Sequence, residues 1–384
     1  MRPRTVAIVA GEASGDLLGS QLILALRELM PGLNVVGIGG PRMEAAGMDV
    51  WFPLEKLAVR GYIEVLKHYF EIVGIRRKLR RRLLRNRPDL FIGIDAPDFN
   101  LDLERSLKSR GIPTVHYVSP AIWMWRRERI KKIKRAVSKM LTLFPFEEDI
   151  YRNAGVDVAF VGHPLADLLE QIPRDDAARE HLRLPSASPV IALLPGSRQS
   201  ELRYMADLFV QTAKLMHAQL PHAVFLVPLA TRETREMFET ALYANKAEGL
   251  PLTIMFGHAQ DAMAAADVVL VASGTATLEA ALLCKPMVIT YKMPPATYWL
   301  LQGKGYLPYY GLPNILSREF VVPELIQDDA TPENLNQVLL NLLADVATRD
   351  RIASSFAALT ASLSRGGARQ AALAVLPMLQ TGNA

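Results

Sequence analysis

Short apolar runs alternate with amphipathic stretches along the whole chain. In the N-terminal half the runs fall at Val6–Ala10, Val35–Ile38, Leu90–Ile94, Thr114–Val118, Met140–Leu143 and Ala159–Val161, most of them ending in Gly, Pro or Asp. Helical patterns separate several of these, as in Leu17–Leu29 and Leu101–Lys108. That alternation predicts an α/β fold with a parallel, doubly wound sheet. Leu165–Pro189 mixes acids, bases and prolines without a strand candidate and reads as a linker. A second alternation follows at Val190–Leu194, Val224–Val227, Leu252–Met255, Val268–Val271 and Pro286–Tyr291. Thr331-Pro332-Glu333 is a helix start, with a capping oxygen, Pro in the first turn and an early acid. From there the chain reads as helical apart from Arg365-Gly366-Gly367. The pattern therefore predicts two domains, with expected boundaries at 1–170 and 171–365.

Composition narrows the setting. The chain has 384 residues, half of them apolar, enough for two cores without covalent staples. Its one cysteine, Cys284, rules out an internal disulfide and fits a reducing compartment. The run Val6–Ala10 is too short for a signal peptide, and Asp267 and Glu279 bracket the best candidate for a membrane span. The expectation is a cytoplasmic protein whose membrane contact, if any, is peripheral. Residues 1–160 carry 27 Lys+Arg against 18 Asp+Glu, a net of +9, whereas the whole chain carries +5. A cationic first half suggests a polyanion, either a membrane surface or nucleic acid.

Candidate chemistry clusters where runs end. In VVLVASGTATLE, Ser273, Gly274 and Thr275 lie where a strand gives way to a helix, a place that favours a phosphate. Glu279, about one turn on, can accept a hydrogen bond from a ribose hydroxyl. VAIVAGEASGD repeats the layout, but Gly11 and Gly15 alone do not make the dinucleotide fingerprint. Glu12 and Asp16 there would repel a bare diphosphate and suit sugar hydroxyls; a tight turn with Asp16 as a helix cap explains the loop as well. IGIDAPDFN places Asp95 and Asp98 just past a strand, where a carboxylate can take a proton from an attacking hydroxyl. A turn with Asp98 as a cap is the plain alternative. The seven histidines have no ligand spacing, so no metal is expected. In LPGSRQSEL, Arg198 could set a guanidinium on a diphosphate, and a surface arginine in a turn is the alternative.

Two stretches are basic. HYVSPAIWMWRRERIKKIKRA joins Trp123 and Trp125 to Arg126, Arg127, Arg129, Lys131, Lys132, Lys134 and Arg135. The tryptophans could stack on a sugar or anchor at a bilayer, and the bases could form a solvated helix face. In residues 62–87, Tyr62, Val65, Leu66, Tyr69, Phe70 and Val73 fall at helical spacing, and a dense basic block beginning Arg76-Arg77 follows. An apolar face beside such a block suits a helix lying on an anionic membrane. A core-facing helix with an arginine-rich outer face is the alternative. None of the standard nucleic-acid-binding motifs occurs, nor a Gly-x-Ser-x-Gly elbow or a Walker loop.

Taken together, AGEASGD, GIDAPDFN, HYVSP–WxWR, FPFE (Phe144 to Glu147), VGHPLAD (Val161 to Asp167), LPGSR, SGTATLE and LPN (Leu312 to Asn314) resemble the lipid-A-disaccharide synthases. These are inverting enzymes of the glycosyltransferase-B fold, two Rossmann-like doubly wound domains facing a cleft. The motifs run in the family's order over nearly the whole chain; Ala121, Met124 and Gly311 depart from its commoner residues. The resemblance implies transfer from UDP-2,3-diacylglucosamine to the 6-hydroxyl of 2,3-diacylglucosamine 1-phosphate, giving the β-1,6-linked disaccharide phosphate and UDP. It implies Asp98 as the base, with Glu12 as a second catalytic carboxylate and Asp95 as an alternative base. Arg198, Ser273, Gly274, Thr275 and Glu279 would hold UDP; Ser14, Asp16 and Asn314 would meet the sugars. No metal or other cofactor is implied. The face of Val65, Leu66, Tyr69, Phe70, Val73, Arg76 and Arg77 would meet the anionic inner membrane, and no nucleic acid is expected. Residues 366–384 would return to an N-terminal domain, within the chain or in a swapped homodimer. Two other readings stay open here: a UDP-sugar 2-epimerase, which needs the UDP pocket and no lipid surface, and a non-enzymatic membrane- or RNA-binding module using Arg76–Arg87.

Overall fold

The computed structural model describes residues 3–57, 62–124, 127–294, 298–299 and 307–380; the side chains of 55 and 62–69 lie outside that description. The chain divides into two compact units, Met1–Pro164 with Leu363–Ala384, and Leu165–Ser362.

The first unit is built on β1 (Thr5–Ala10), β2 (Asn34–Gly39), β3 (Asp49–Pro53), β4 (Leu90–Ile94), β5 (Thr114–Tyr117), β6 (Lys139–Thr142) and β7 (Val158–Phe160). They form one sheet in the order β3-β2-β1-β4-β5-β6-β7, with every neighbouring pair parallel. Successive side chains of a strand point to opposite faces, so β1 feeds two cores. Val6, Ile8 and Ala10 pack with Leu22, Ile23 and Leu26 of the helix Ala13–Leu29. Ala7 and Val9 pack with Ile75, Leu79 and Leu83 of the helix Tyr62–Asn86 and with Leu103 of the helix Pro97–Lys108.

The last helix, Gly367–Gln380, sets Ala371, Ala372, Val375 and Leu379 into the first of those cores. Burying Val375 and Leu379 contributes about 1.5–3 kcal/mol each. The chain reaches this place through His163, whose N–H donates to the Leu363 carbonyl at 2.8 Å.

The second unit has β8 (Val190–Leu194), β9 (Val224–Leu229), β10 (Leu252–Phe256), β11 (Val268–Ala272), β12 (Met287–Tyr291) and β13 (Glu324–Ile326). Their order is β10-β9-β8-β11-β12-β13, again with parallel neighbours. Two strands escaped the apolar pattern, β3 (DVWFP) and β13 (ELI), and both are edge strands. An edge strand need not be apolar throughout, because one side lies open. The stretch read as a linker carries the helices Pro164–Leu169 and Asp176–His181.

In each sheet the strand order reverses once: between β1 and β4 in the first, between β8 and β11 in the second. Such reversals open a crevice at the C-terminal ends of the strands, where ligands of open α/β sheets bind.

Candidate functional site

All four of the strongest sequence motifs flank these two reversals. AGEASGD follows β1 and GIDAPDFN follows β4; LPGSR follows β8 and SGTATLE follows β11. Local pattern placed each motif at a strand end, and strand order alone made them neighbours.

In the first unit the two loops lie against each other. A Cβ on Gly11 would sit 2.3 Å from the Cβ of Ala96, so only glycine permits the contact. Asp95 and Ala96 leave β4 with positive φ, 52° and 43°, turning the chain sharply into the helix Pro97–Lys108. Such backbone is costly for residues with a side chain and needs support. Buried Asn100 supplies it, donating from Nδ2 to the Asp95 carbonyl at 2.8 Å. The turn presents Asp98 in the helix's first turn with its side chain 83% exposed.

Cations gather around that carboxylate. Arg129 donates from Nη2 to Asp98 Oδ1 at 3.2 Å. Arg76 reaches the Asp98 carbonyl at 3.3 Å and Asp102 Oδ2 at 3.1 Å, and Lys132 lies 2.9 Å from Asp102 Oδ1. Burial opposes ionisation of Asp102, but Lys132 and Arg76 outweigh it and hold the carboxyl below its ordinary value.

Glu12 and Ser14 are exposed at the start of the helix Ala13–Leu29. Asp16 is not: it is 4% exposed. Its Oδ1 accepts from the Gly40 and Met43 amides at 2.8 and 3.1 Å, its Oδ2 from Arg42 at 3.0 Å. It thus caps a neighbouring helix, Pro41–Ala45, rather than its own, and both oxygens are occupied.

The other motifs of this unit complete the same sheet edge. Phe144, Phe146 and Trp123 form an aromatic cluster: Trp123 meets Phe146 edge-on at 5.4 Å, and Phe144 stacks on Phe146 at 6.0 Å. Trp123 is buried, so it is packed here rather than free to stack on a sugar; Trp125 and Arg126 lie outside the described residues. Beneath the cluster, buried Glu147 accepts from the Phe144 amide at 3.1 Å. Desolvation pushes its carboxyl up to about 7. Ser119 Oγ and Tyr151 Oη share a hydrogen bond of 2.7 Å. Below β4 and β5, Glu104 and His116 are wholly buried and paired at 2.7 Å, and burial raises the Glu104 carboxyl. Sequence reading assigned no role to Asn100, Glu147 or Glu104, although the first two end the motifs GIDAPDFN and FPFE. Their signal was weak, since a polar residue inside a helical pattern reads equally well as surface.

In the second unit one cavity of about 430 Å³ is lined by Arg198, Ser273, Gly274, Thr275 and Glu279, the full set expected to hold UDP. The first amides of the helix Thr275–Leu282 have no carbonyl partner within the helix, and with its dipole they favour negative charge there. Gly196 takes φ 123°, which lets Glu201 Oε2 cap the Ser197 and Arg198 amides at 2.9 and 3.2 Å. Arg198 itself remains exposed, 3.5 Å from Glu201 Oε1. Glu279 accepts from Gln260 at 3.2 Å, and burial raises its carboxyl. Pro228–Ala230 and Tyr291, which the motifs did not flag, also line the cavity.

A larger cavity, about 680 Å³, opens at the N-terminal edge of the same sheet beside Pro189 and Asp267. The helices Gln199–Gln219 and Pro332–Ala344 end there, so their carbonyl ends disfavour an anion.

Asn314 is wholly buried. Its Nδ2 donates to the Val322 carbonyl and to Glu324 Oε1, at 2.9 and 2.8 Å, and its Oδ1 accepts from the Val322 amide. Glu324 also accepts from the Tyr310 and Gly311 amides, at 2.8 Å each, and the Tyr310 carbonyl accepts from Ser273 Oγ at 2.9 Å. Asn314 and Glu324 thus position the segment beside Ser273.

On the helix Tyr62–Asn86, Ile75, Leu79 and Leu83 face the core. Phe70 is 81% exposed and Val73 half-buried. Arg77 is exposed, and Arg76 turns toward Asp98. The side chains of Val65, Leu66 and Tyr69 lie outside the description. Among the described residues no helix is long and apolar enough to cross a membrane, and no group of three or more His, Cys, Asp or Glu is gathered as for a metal ion.

A profile of the lipid-A-disaccharide synthetase family matches residues 6–375. The lipid-A-disaccharide synthase of Methylobacillus flagellatus is 57% identical over 376 residues, covering 98% of this chain and 100% of that protein. The synthase of Dechloromonas aromatica is 55% identical over 375 residues, covering 97% and 98%. Among solved structures, CalG4, the calicheamicin glycosyltransferase, superposes with a TM-score of 0.62 at 17% identity, covering 99% of both chains. The UDP-GlcNAc 2-epimerase of Neisseria meningitidis, bound to UDP-GlcNAc, gives 0.65 at 12% identity, covering 99% of this chain and 100% of that one. The structural likenesses establish the glycosyltransferase-B fold.

Proposed function

The chain belongs to the lipid-A-disaccharide synthase family, and on that premise we propose how its residues divide the work. The enzyme is a glycosyltransferase of lipid A biosynthesis, condensing a UDP-diacylglucosamine donor with a diacylglucosamine phosphate acceptor. We assign UDP to the second unit. The helix start at Gly274 and Thr275, with Ser273, takes the diphosphate; Arg198 closes on it; Glu279 accepts from the ribose hydroxyls. The observation that carries this assignment is the single cavity that these residues share.

Inversion needs a base on the sugar face opposite the leaving UDP. Asp98 belongs to the unit that does not hold the diphosphate cavity, as that division requires. In the step itself the acceptor 6-hydroxyl gives its proton to Asp98 as its oxygen bonds to the anomeric carbon. The bond from that carbon to the diphosphate oxygen breaks, and UDP leaves with the electron pair. Arg198 and the helix dipole stabilise the departing charge. Exposed Glu12 and Ser14 contact sugar hydroxyls beside Asp98. Asp16, bonded to backbone amides, and Asn314, bonded to Val322 and Glu324, act by fixing the loops that do so. Phe70, Val73 and Arg77, with Val65, Leu66 and Tyr69, meet the inner membrane from the cytoplasmic side and deliver lipid substrates.

Asp98→Asn tests the base. With the circular dichroism spectrum and UDP affinity intact, transfer should fall roughly 10²–10⁴-fold; retention of wild-type turnover would remove Asp98 from this role. UDP release that waits for the diacylated acceptor separates this reading from epimerisation.

A further inference from the structure

We propose that Arg129, with Arg76 and Lys132, is the subsite for the acceptor's phosphate monoester, and that filling it frees Asp98 to act as base. The proposal rests on the reading of Asp98 given above. It starts from a conflict: an Arg129 N–H already occupies Asp98 Oδ1 at 3.2 Å, an oxygen on which the base would accept the acceptor's hydroxyl. Drawing Arg129 away leaves that oxygen open to the hydroxyl.

The acceptor carries such a group. A phosphate dianion matches the planar fork of arginine with two parallel hydrogen bonds and a doubled charge. The Arg129–Asp98 contact is a single bond on a carboxylate 83% exposed, the kind of ion pair that is cheaply exchanged. The neighbouring cations are held beside it, not scattered. Arg76 is fixed by the Asp98 carbonyl and by Asp102, and Lys132 by the other oxygen of Asp102. Three cations thus face two carboxylates of one helix and leave an excess positive charge. On the far side of Arg76 and Asp102 from Arg129, a cavity of about 290 Å³ adds Arg77 and Arg80 to the positive charge of this face. The acceptor's phosphate and its 6-hydroxyl lie across one pyranose ring, so a subsite next to Asp98 is where the phosphate must bind if Asp98 meets the hydroxyl. The same chemistry could recognise an anionic lipid headgroup; contact with the base favours the substrate.

The test compares diacylglucosamine 1-phosphate with phosphate-free diacylglucosamine as acceptors in neutral detergent micelles, using the full chain, R129Q, R129K and D98N. The wild type should prefer the phosphorylated acceptor. R129Q should lose roughly 10- to 100-fold in kcat/KM with that acceptor and gain with the phosphate-free one, because Asp98 Oδ1 is left open. R129K should keep part of the preference. Inorganic phosphate should stimulate transfer to the phosphate-free acceptor in the wild type but not in R129Q. Equal losses on both acceptors in R129Q, or an undiminished preference, overturn the subsite. A defect seen only when phosphatidylglycerol vesicles replace micelles overturns it in favour of a lipid headgroup. D98N separates the two claims: full activity there refutes the base, while the acceptor preference of R129Q still reports on the phosphate.

Discussion

Glu147→Gln removes one buried titrating group and should abolish its part of the pH dependence of stability. The carboxyl is 2% exposed, with the Phe144 amide donating to Oε2 at 3.1 Å. Burial raises it from an ordinary 4.5 to about 7. Between those two values the native state binds more protons than the unfolded chain, so stability falls as pH rises through the window. At 1.36 kcal/mol per pH unit the full loss is roughly 3 kcal/mol, complete above pH about 7. Glutamine has nearly the same shape, keeps an oxygen for the Phe144 amide and never ionises. The variant should match the wild type, or fall slightly below it, near pH 4.5 and exceed it by roughly 3 kcal/mol at pH 8. Urea unfolding at each pH measures this, and subtracting one protein from the other cancels every other titrating group. Tryptophan fluorescence favours the relevant unit, since Trp51, Trp123 and Trp125 belong to the first and Trp299 to the second. A difference constant to within about 0.5 kcal/mol from pH 5 to 8 would mean that Glu147 ionises normally, and the reasoning from its burial would fail.

Other expectations follow from the same geometry. Asp16→Asn leaves one oxygen for three backbone amides and should destabilise the first unit by about 1–3 kcal/mol while UDP affinity holds; a UDP defect in calorimetry would contradict its capping role. Glu324→Gln should loosen the Tyr310–Gly311 amides and raise KM for the donor several-fold with little change in kcat; a loss confined to kcat would argue against positioning. Arg198→Ala should weaken UDP binding roughly 10- to 100-fold, and unchanged affinity would place the diphosphate elsewhere. Phe70→Ser should lower binding to anionic vesicles and leave transfer to a detergent-dispersed acceptor intact; undiminished pelleting with vesicles would move the membrane face off this helix.

The strands that could be read ahead of the structure were the apolar ones. Leu90–Ile94 and Val190–Leu194 are buried along their whole length, and strands covered on both faces read as near-continuous apolar runs. The edge strands β3 and β13 mix polar with apolar residues and left no such trace. Site residues divided in the same way. Gly274, Arg198 and Asp98 sit where strands give way to helices, places where residue type follows chemistry. Asn100 and Glu147 lie inside helical patterns, where the residue's character reveals nothing about the partner that it will meet across the fold.

Local sequence determined that there are strands and helices in alternation, and that glycines, acids and an arginine stand at strand ends, because periodicity and turn chemistry are properties of neighbouring residues. Only the tertiary structure decided which strand ends become neighbours, that Arg129 comes to rest on Asp98, and which partners Asp16 and Asn314 bond within the protein. Those contacts join residues from about ten to about thirty positions apart, and no local pattern specifies a pairing that arises from the order of strands in a sheet.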